Sequence, residues 1–132
     1  MNPMHQMKWK PGPLDTLRGP VFVSATRFTY KHFWHLPPVF SHGLALRSNW
    51  PTIEGAVGMT SAGDLLSKTT FTLSVWRSED DLRRWISSPQ HLALTREFRS
   101  KLRGSAAVGW TTEDFVLADA WTRAMTEVRV KN

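Results

Sequence analysis

Cysteine is absent from the 132 residues. That excludes disulfides, thiolate nucleophiles, zinc knuckles and iron–sulfur clusters, and leaves redox compartment unmarked. No apolar run approaches the roughly 18 residues that a membrane span needs. The opening MNPMHQMKWKPGP has neither the apolar stretch nor the small-residue cleavage site of a secretory signal. The expectation is therefore a soluble, cytoplasmic protein with no membrane span. Several common active-site motifs are also missing: GxSxG, a GxGxxG following a strand, GxxxxGK(S/T) and HExxH. Ser, His and Asp all occur, but nothing marks any serine as a strained nucleophile.

Positive charge is in excess, with 17 Lys+Arg against 11 Asp+Glu and a net charge of +6. Such a balance permits binding to nucleic acid, anionic lipid or an acidic small molecule. The basic residues are scattered, however. Lys8, Lys10 and Arg18 lie near the start, while Arg83, Arg84, Arg96, Arg99, Lys101 and Arg103 sit among acids on helical segments. They read as solvated helix faces, and no nucleic acid is expected. Tryptophan is the unusual component: seven stand against a single tyrosine. Each is bulky and carries one N–H donor, so seven in a small domain point to a thick core, a flat aromatic ligand, or both.

Residues 1–19 read as a flexible N-terminal tail, broken by Pro3, Pro11, Gly12, Pro13 and Gly19-Pro20. Residues 20–132 read as one domain. Val21–Tyr30 is rich in β-branched and aromatic residues and predicts a strand. A helix follows from Pro38 to about Asn49, with Val39, Gly43, Leu46 and Trp50 near helical spacing and Pro51 as its stop. Glu54–Thr60 reads as a short strand and Ser61–Asp64 as a turn. In Lys68–Trp76, Phe71, Leu73 and Val75 alternate with Thr70, Thr72, Ser74 and Trp76, the clearest strand pattern in the chain. Ser78 and Asp81 have capping-box spacing, with three acids in the first turn, and Ser88-Pro89 starts a second helical segment reaching about Arg103. Ala106–Trp110 predicts a fourth strand. Leu117 to Val128 predicts a last helix with Leu117, Trp121, Ala124, Met125 and Val128 buried. The order β-α-β-β-α-β plus a C-terminal helix is that of an α+β, ferredoxin-like antiparallel sheet with helices on one face. Both sides of the first and third strands carry apolar or small residues, so the open face calls for a homodimer.

Among candidate chemical residues, His32, His35 and His42 are closely spaced, but no nearby carboxylate completes a metal set. His91 lies on the apolar face of its helix with Phe98 and Leu102. It reads either as a core histidine satisfied by one backbone carbonyl or as a ligand-facing base, donor or haem ligand. Thr70, Thr72, Ser74 and Trp76 form a small, hydroxyl-lined strand face ending in an indole, which leaves room for a ligand if helices cover it. Arg27 and Tyr30 could add a cation and a phenol at its mouth. Asp80-Asp81 reads as a cap and not as an acid–base pair.

The stretch Thr69 to Arg99, TTFTLSVWRSEDDLRRWISSPQHLALTREFR, resembles the dimeric α+β barrel superfamily. That superfamily holds the antibiotic-biosynthesis-type, haem-degrading and spheroidene-monooxygenase-like proteins. The shared features are a strand ending in Trp, a short acidic cap, a helix with an aromatic, and a Ser-Pro-x-His-like step. The resemblance implies that Trp76 contacts a flat aromatic substrate and that Arg96 is an active-site arginine. The expected site holds the substrate against Trp76 and Trp85 beside Thr72, with His91 or Arg96 polarising an oxygen or taking a proton. Thr72 stands where the cofactor-independent branch has Asn, and Leu82 where it has Tyr. In the haem-degrading branch Trp85 matches the porphyrin-ruffling Trp, while Thr95 stands at the ligand position and His91 one turn earlier. Three functions follow as expectations: a cofactor-independent monooxygenase, a haem-binding member with His91 as axial ligand, or a barrel that binds an apolar or aromatic small molecule without chemistry.

Overall fold

The computed structural model describes residues 5–130. Its main sheet strands are β3 (Val21–Tyr30), β4 (Ala56–Asp64), β5 (Thr69–Trp76) and β6 (Leu102–Thr112), after two short strands, β1 (His5–Gln6) and β2 (Lys10–Pro11). The helices are α1 (Leu36–Asn49), α2 (Glu79–Ile86), α3 (Pro89–Phe98) and α4 (Leu117–Val130). The sheet is antiparallel in the order β1-β4-β5-β3-β6, with β2 also on β4. This is the ferredoxin-like α+β arrangement that the element order predicts. Among the described residues no helix is long and apolar enough to cross a membrane.

Alternation along β3 and β5 decides which side chains meet which helix. Val21, Val23 and Ala25 share one face with Phe71, Leu73 and Val75, and there α4 packs Ala120, Ala124, Met125 and Val128 against them. The other face carries Phe22, Ser24 and Thr26 beside Thr72, Ser74 and Trp76, where α1 and α2 pack Leu46, Leu82 and Trp85. On the α4 face the packing against the sheet comes from α4 and the N-terminal segment, which adds Trp9 and Leu14.

Three segments differ from the sequence reading. Residues 5–11, expected within a flexible tail, are tied to the edge of the sheet. The Met7 N–H donates to Ser61 O at 2.8 Å, Thr60 Oγ1 donates to Met7 O at 2.7 Å, and the Gly12 N–H donates to Val57 O at 2.9 Å. An unpaired edge of β4 accepts these bonds, which outweighs the local Pro and Gly content. Ser61–Asp64 is strand and not turn, because it pairs residue for residue with Thr72–Thr69 of β5. The turn falls instead at Leu65–Lys68. The second helical segment does not reach Arg103: α3 ends at Phe98, and Leu102 already begins β6, in which Gly104 pairs with Thr29.

The α2 boundary forms as its sequence indicates. Ser78 Oγ accepts from the Asp81 N–H at 3.3 Å, and the buried Asp81 carboxylate accepts from Arg77, Ser78 and Arg84. Gly55, with φ of 81°, passes so close that a Cβ there would collide with Asp81. The Arg77 N–H donates to Gly55 O at 2.9 Å. This knot fixes the end of β5 to the start of α2, and with it the spacing between Trp76 and Trp85.

Candidate functional site

The helix-facing side of the sheet is built from small hydroxyl residues in register. Ser24 lies opposite Ser74, Thr26 opposite Thr72, and Ser61 opposite Thr72 from the other side. Ser74 Oγ accepts from the Trp76 indole N–H at 2.9 Å. The hydroxyls of Ser24, Thr26, Ser61 and Thr72 make no side-chain hydrogen bond among the described residues, and none is sealed from solvent.

Aromatic residues wall one end of this floor. Trp76 and Trp50 are fully buried and meet edge to face, centroids 5.1 Å apart, with Ile53, Ala56 and Met59 around them and Phe22, Leu46, Leu82 and Trp85 packed on the outside. The other end is closed by buried Tyr30. Burial raises its phenol above the ordinary value, opposed by a hydrogen bond to Thr70, so it stays protonated. The roof is loose. α3 buries no residue and α1 only Leu36, because the apolar residues of α1 are poorly segregated to one side. A cleft of about 250 Å³ runs between them, lined by His42, Ala45, Leu46, Gln90, Ala93, Leu94 and Glu97. Leu46 joins it to the tryptophan wall.

The sequence-predicted site residues separate into two groups. Thr72, Trp76, Trp85 and Tyr30 belong to the floor and walls just described. Arg27 projects to the opposite face, where its Nη1 donates to Val128 O at 3.0 Å near the end of α4; alternation puts position 27 with Val23 and Ala25, and helix ends attract cations. Arg96 is exposed on the outside of α3, opposite the inward side marked by His91, Leu94 and Phe98. His91 borders Trp85 edge-on at 5.6 Å. Its ring bonds the Ile86 carbonyl, and Nδ1 lies 3.5 Å from Thr95 Oγ1. Burial lowers its pKa, opposed by the Ile86 bond. It is a neutral imidazole that closes the α2–α3 corner.

One residue absent from the sequence reading belongs here. Phe40 lies over Gly63 of β4, and Trp50 lies on Met59 and Trp76. Between these anchors the same side of α1 carries Arg47, which is half-buried, with Nη1 sealed from solvent and unpartnered. A buried guanidinium N–H without an acceptor is costly and calls for an anionic or carbonyl partner. The signal available in the sequence was its spacing, four residues from Gly43 and three from Trp50.

An axially ligated haem needs an imidazole nitrogen free and facing the cleft. His91 is engaged as described, His42 Nε2 lies 3.3 Å from Glu97 Oε2, and His32 stacks on exposed Trp34. His35 has an unpartnered Nδ1 but sits outside the tryptophan wall, beside Lys31 and Lys101. Of these, His42 is the one in the cleft lining, with its Nε2 turned to Glu97. Among the described residues no cluster of three His, Asp or Glu could hold a metal ion.

No protein-family model and no curated protein matches the chain. Solved structures do. SnoaB, a cofactor-independent oxygenase from Streptomyces nogalater, is 17% identical, with a TM-score of 0.55 over 75% of this chain and 98% of its own. LmHde, a heme-degrading enzyme from Listeria monocytogenes, is 13% identical, with a TM-score of 0.61 over 80% of this chain and 68% of its own. A conserved protein from Methanosarcina mazei Go1 gives 14% and 0.57 over 74% and 94%. The chain shares the ferredoxin-like fold of these structures. At such identities the likeness is one of fold, and the chemistry rests on the cleft itself.

Proposed function

We propose that this monooxygenase-like protein binds a flat, apolar aromatic molecule with an enolisable or phenolic oxygen and oxygenates it without a resident cofactor. The observation that carries this reading is the buried, unpartnered Nη1 of Arg47 on the side of α1 that Phe40 and Trp50 turn to the sheet. That side of the sheet carries the free hydroxyls, and Trp76, Trp50 and Trp85 close one end of it. The rings hold the apolar body, Thr72 and its neighbours hydrogen-bond its edge, and Arg47 stabilises the oxyanion that forms as the substrate ionises. Protonated Tyr30 offers a second donor. The carbanion form of a methylene group between two rings passes an electron to O₂, and the radical pair combines to a hydroperoxide. Loss of water leaves a carbonyl, so that R₂CH₂ + O₂ gives R₂C=O + H₂O. Arg47 takes the role that the resemblance assigns to Arg96. Floor, wall and guanidinium come from one chain, so the reading applies to a monomer and to a homodimer alike.

The test is oxygen uptake with a three-ring phenolic methylene substrate after chelator treatment, alongside quenching of tryptophan fluorescence by the same compound. One O₂ consumed per carbonyl formed is expected. Arg47→Met should lower kcat at least tenfold with binding largely kept, whereas Trp76→Phe should weaken binding. Quenching without uptake would turn the assignment to the alternative, a barrel that binds and does not react. Neither quenching nor uptake would remove the site altogether.

A further inference from the structure

The end of the sheet where β3 leaves, the β4–β5 turn reverses and β6 begins is unlike the rest of the surface. Phe33, Trp34, Leu65 and Leu66 stand there 57%, 69%, 53% and 77% exposed. Printed contacts join these segments into one patch. The Lys68 ammonium lies 4.8 Å from the Phe33 ring centroid, the Tyr30 N–H donates to Lys68 O at 2.8 Å, and the Lys31 N–H donates to Lys101 O at 2.9 Å. Trp34 stacks on His32 with centroids 4.0 Å apart.

Cations dominate the charge of this end. Lys31, Lys68 and Lys101 ring the patch, with His32 and His35 among them. The acid of the turn is Asp64, whose Oδ1 is buried. The His35 imidazole is held below its ordinary value, by burial first and then by the charges of His32, Lys101 and Lys31. The turn itself keeps Lys68 at φ of 56°, a left-handed backbone that glycine or asparagine adopts with less strain. A lysine thus stands at the base of a turn whose tip is two exposed leucines.

We infer that this patch is a peripheral docking surface for an anionic lipid bilayer, with Trp34, Phe33, Leu65 and Leu66 entering the interface and Lys31, Lys68 and Lys101 meeting the headgroups. Exposed apolar side chains rimmed by cations on one end of a molecule match what an interface rewards: apolar area in the acyl boundary, aromatic rings at headgroup depth and basic residues at the surface. The charge disfavours a second copy of the chain, since a twofold contact through this end would set the lysines against each other. The leucines disfavour a nucleic acid, because bases stack on aromatic rings and gain little from aliphatic tips. The surface adjoins Tyr30, which closes the near end of the hydroxyl floor. An apolar ligand could therefore pass between bilayer and cleft, although the docking inference does not depend on the oxygenase reading.

The test is sedimentation of the full-length protein with phosphatidylcholine vesicles, with and without phosphatidylglycerol, at low and high salt. Binding to the anionic vesicles that weakens with salt is expected. Lys31→Gln and Lys101→Gln should each reduce partitioning about fivefold. The double variant W34S/L66S should abolish it while the far-ultraviolet spectrum and Tm stay unchanged, both positions being exposed. Equal binding to neutral and anionic vesicles would overturn the inference, as would full binding by W34S/L66S. A concentration-dependent dimer lost in W34S/L66S would reassign the patch to a second copy, and binding to an RNA oligomer without vesicle binding would reassign it to nucleic acid.

Discussion

Replacing Asp81 by asparagine should cost about 2 kcal/mol at neutral pH and progressively less as the pH falls. The carboxylate is 2% exposed. Its Oδ2 accepts from Arg77 Nε and Ser78 Oγ, both at 2.9 Å, and its Oδ1 accepts from Arg77 Nη2 and Arg84 Nη1, both at 2.8 Å. The Arg77 bonds, helped by Ser78 and Arg84, overcome burial and hold the pKa at about 2, down from 3.8. At 1.36 kcal/mol per pKa unit that displacement is worth about 2 kcal/mol. The larger penalty of roughly 3–5 kcal/mol for stranding a buried charge does not apply, because the Arg77 and Arg84 side chains are 49% and 54% exposed and regain water. The folded pKa lies below the unfolded one, so the folded state binds fewer protons near pH 3. The stabilisation is complete above about pH 5 and is lost as the pH falls through about 2. Urea unfolding followed by tryptophan fluorescence, for the natural chain and Asp81→Asn from pH 7 to pH 2, should show a gap that closes towards the acid end. A gap of equal size at both ends would refute the ionic account and leave a loss of packing in its place. The same variant should loosen the spacing of Trp76 and Trp85, since Asp81 stands between them in the chain.

Gly58→Ala puts a Cβ into the Trp9 ring, and β2 pairs beside it, Lys10 with Met59 and Pro11 with Gly58. A loss of about 1–3 kcal/mol is expected, together with faster proteolysis before residue 21; an unchanged digestion pattern would mean that the N-terminal strands hold without Trp9. His91→Ala removes the bond to Ile86 and the edge contact with Trp85, so Tm should fall by an amount equivalent to about 1 kcal/mol while ligand binding and oxygen uptake persist. Loss of turnover at unchanged ligand affinity and Tm would return His91 to the catalytic group.

Local patterns carried much of the architecture. The Thr70–Trp76 alternation placed Thr72, Ser74 and Trp76 on one side, and they share it in the fold. Ser78 and Ser88 cap their helices through the N–H groups of Asp81 and His91, since a cap is chemistry within four residues. The stripe Ala124, Met125 and Val128 is buried, because a segregated helix face has one place to go. The resemblance in Thr69 to Arg99 named a fold correctly, and the arginine it points to lies on the exposed side of α3. Arg96 was matched by position along a helix whose phase puts it in solvent.

What the sequence determined by itself was the order of elements, the caps, and the side of each strand on which a residue lies relative to its neighbours. Only the tertiary structure decided which of the two sheet faces receives which helix. That choice sends Arg27 to α4 and away from the cleft, and it leaves Arg47, on a helix with little apolar segregation, with a buried and unpartnered Nη1. It likewise turned Ser61–Asp64 into strand and drew residues 5–11 onto the edge of β4. Periodicity is a local property, fixed by the backbone within a few residues. Strand register, edge pairing and the assignment of faces are settled by partners far away in the chain, and these are the contacts that make the candidate site.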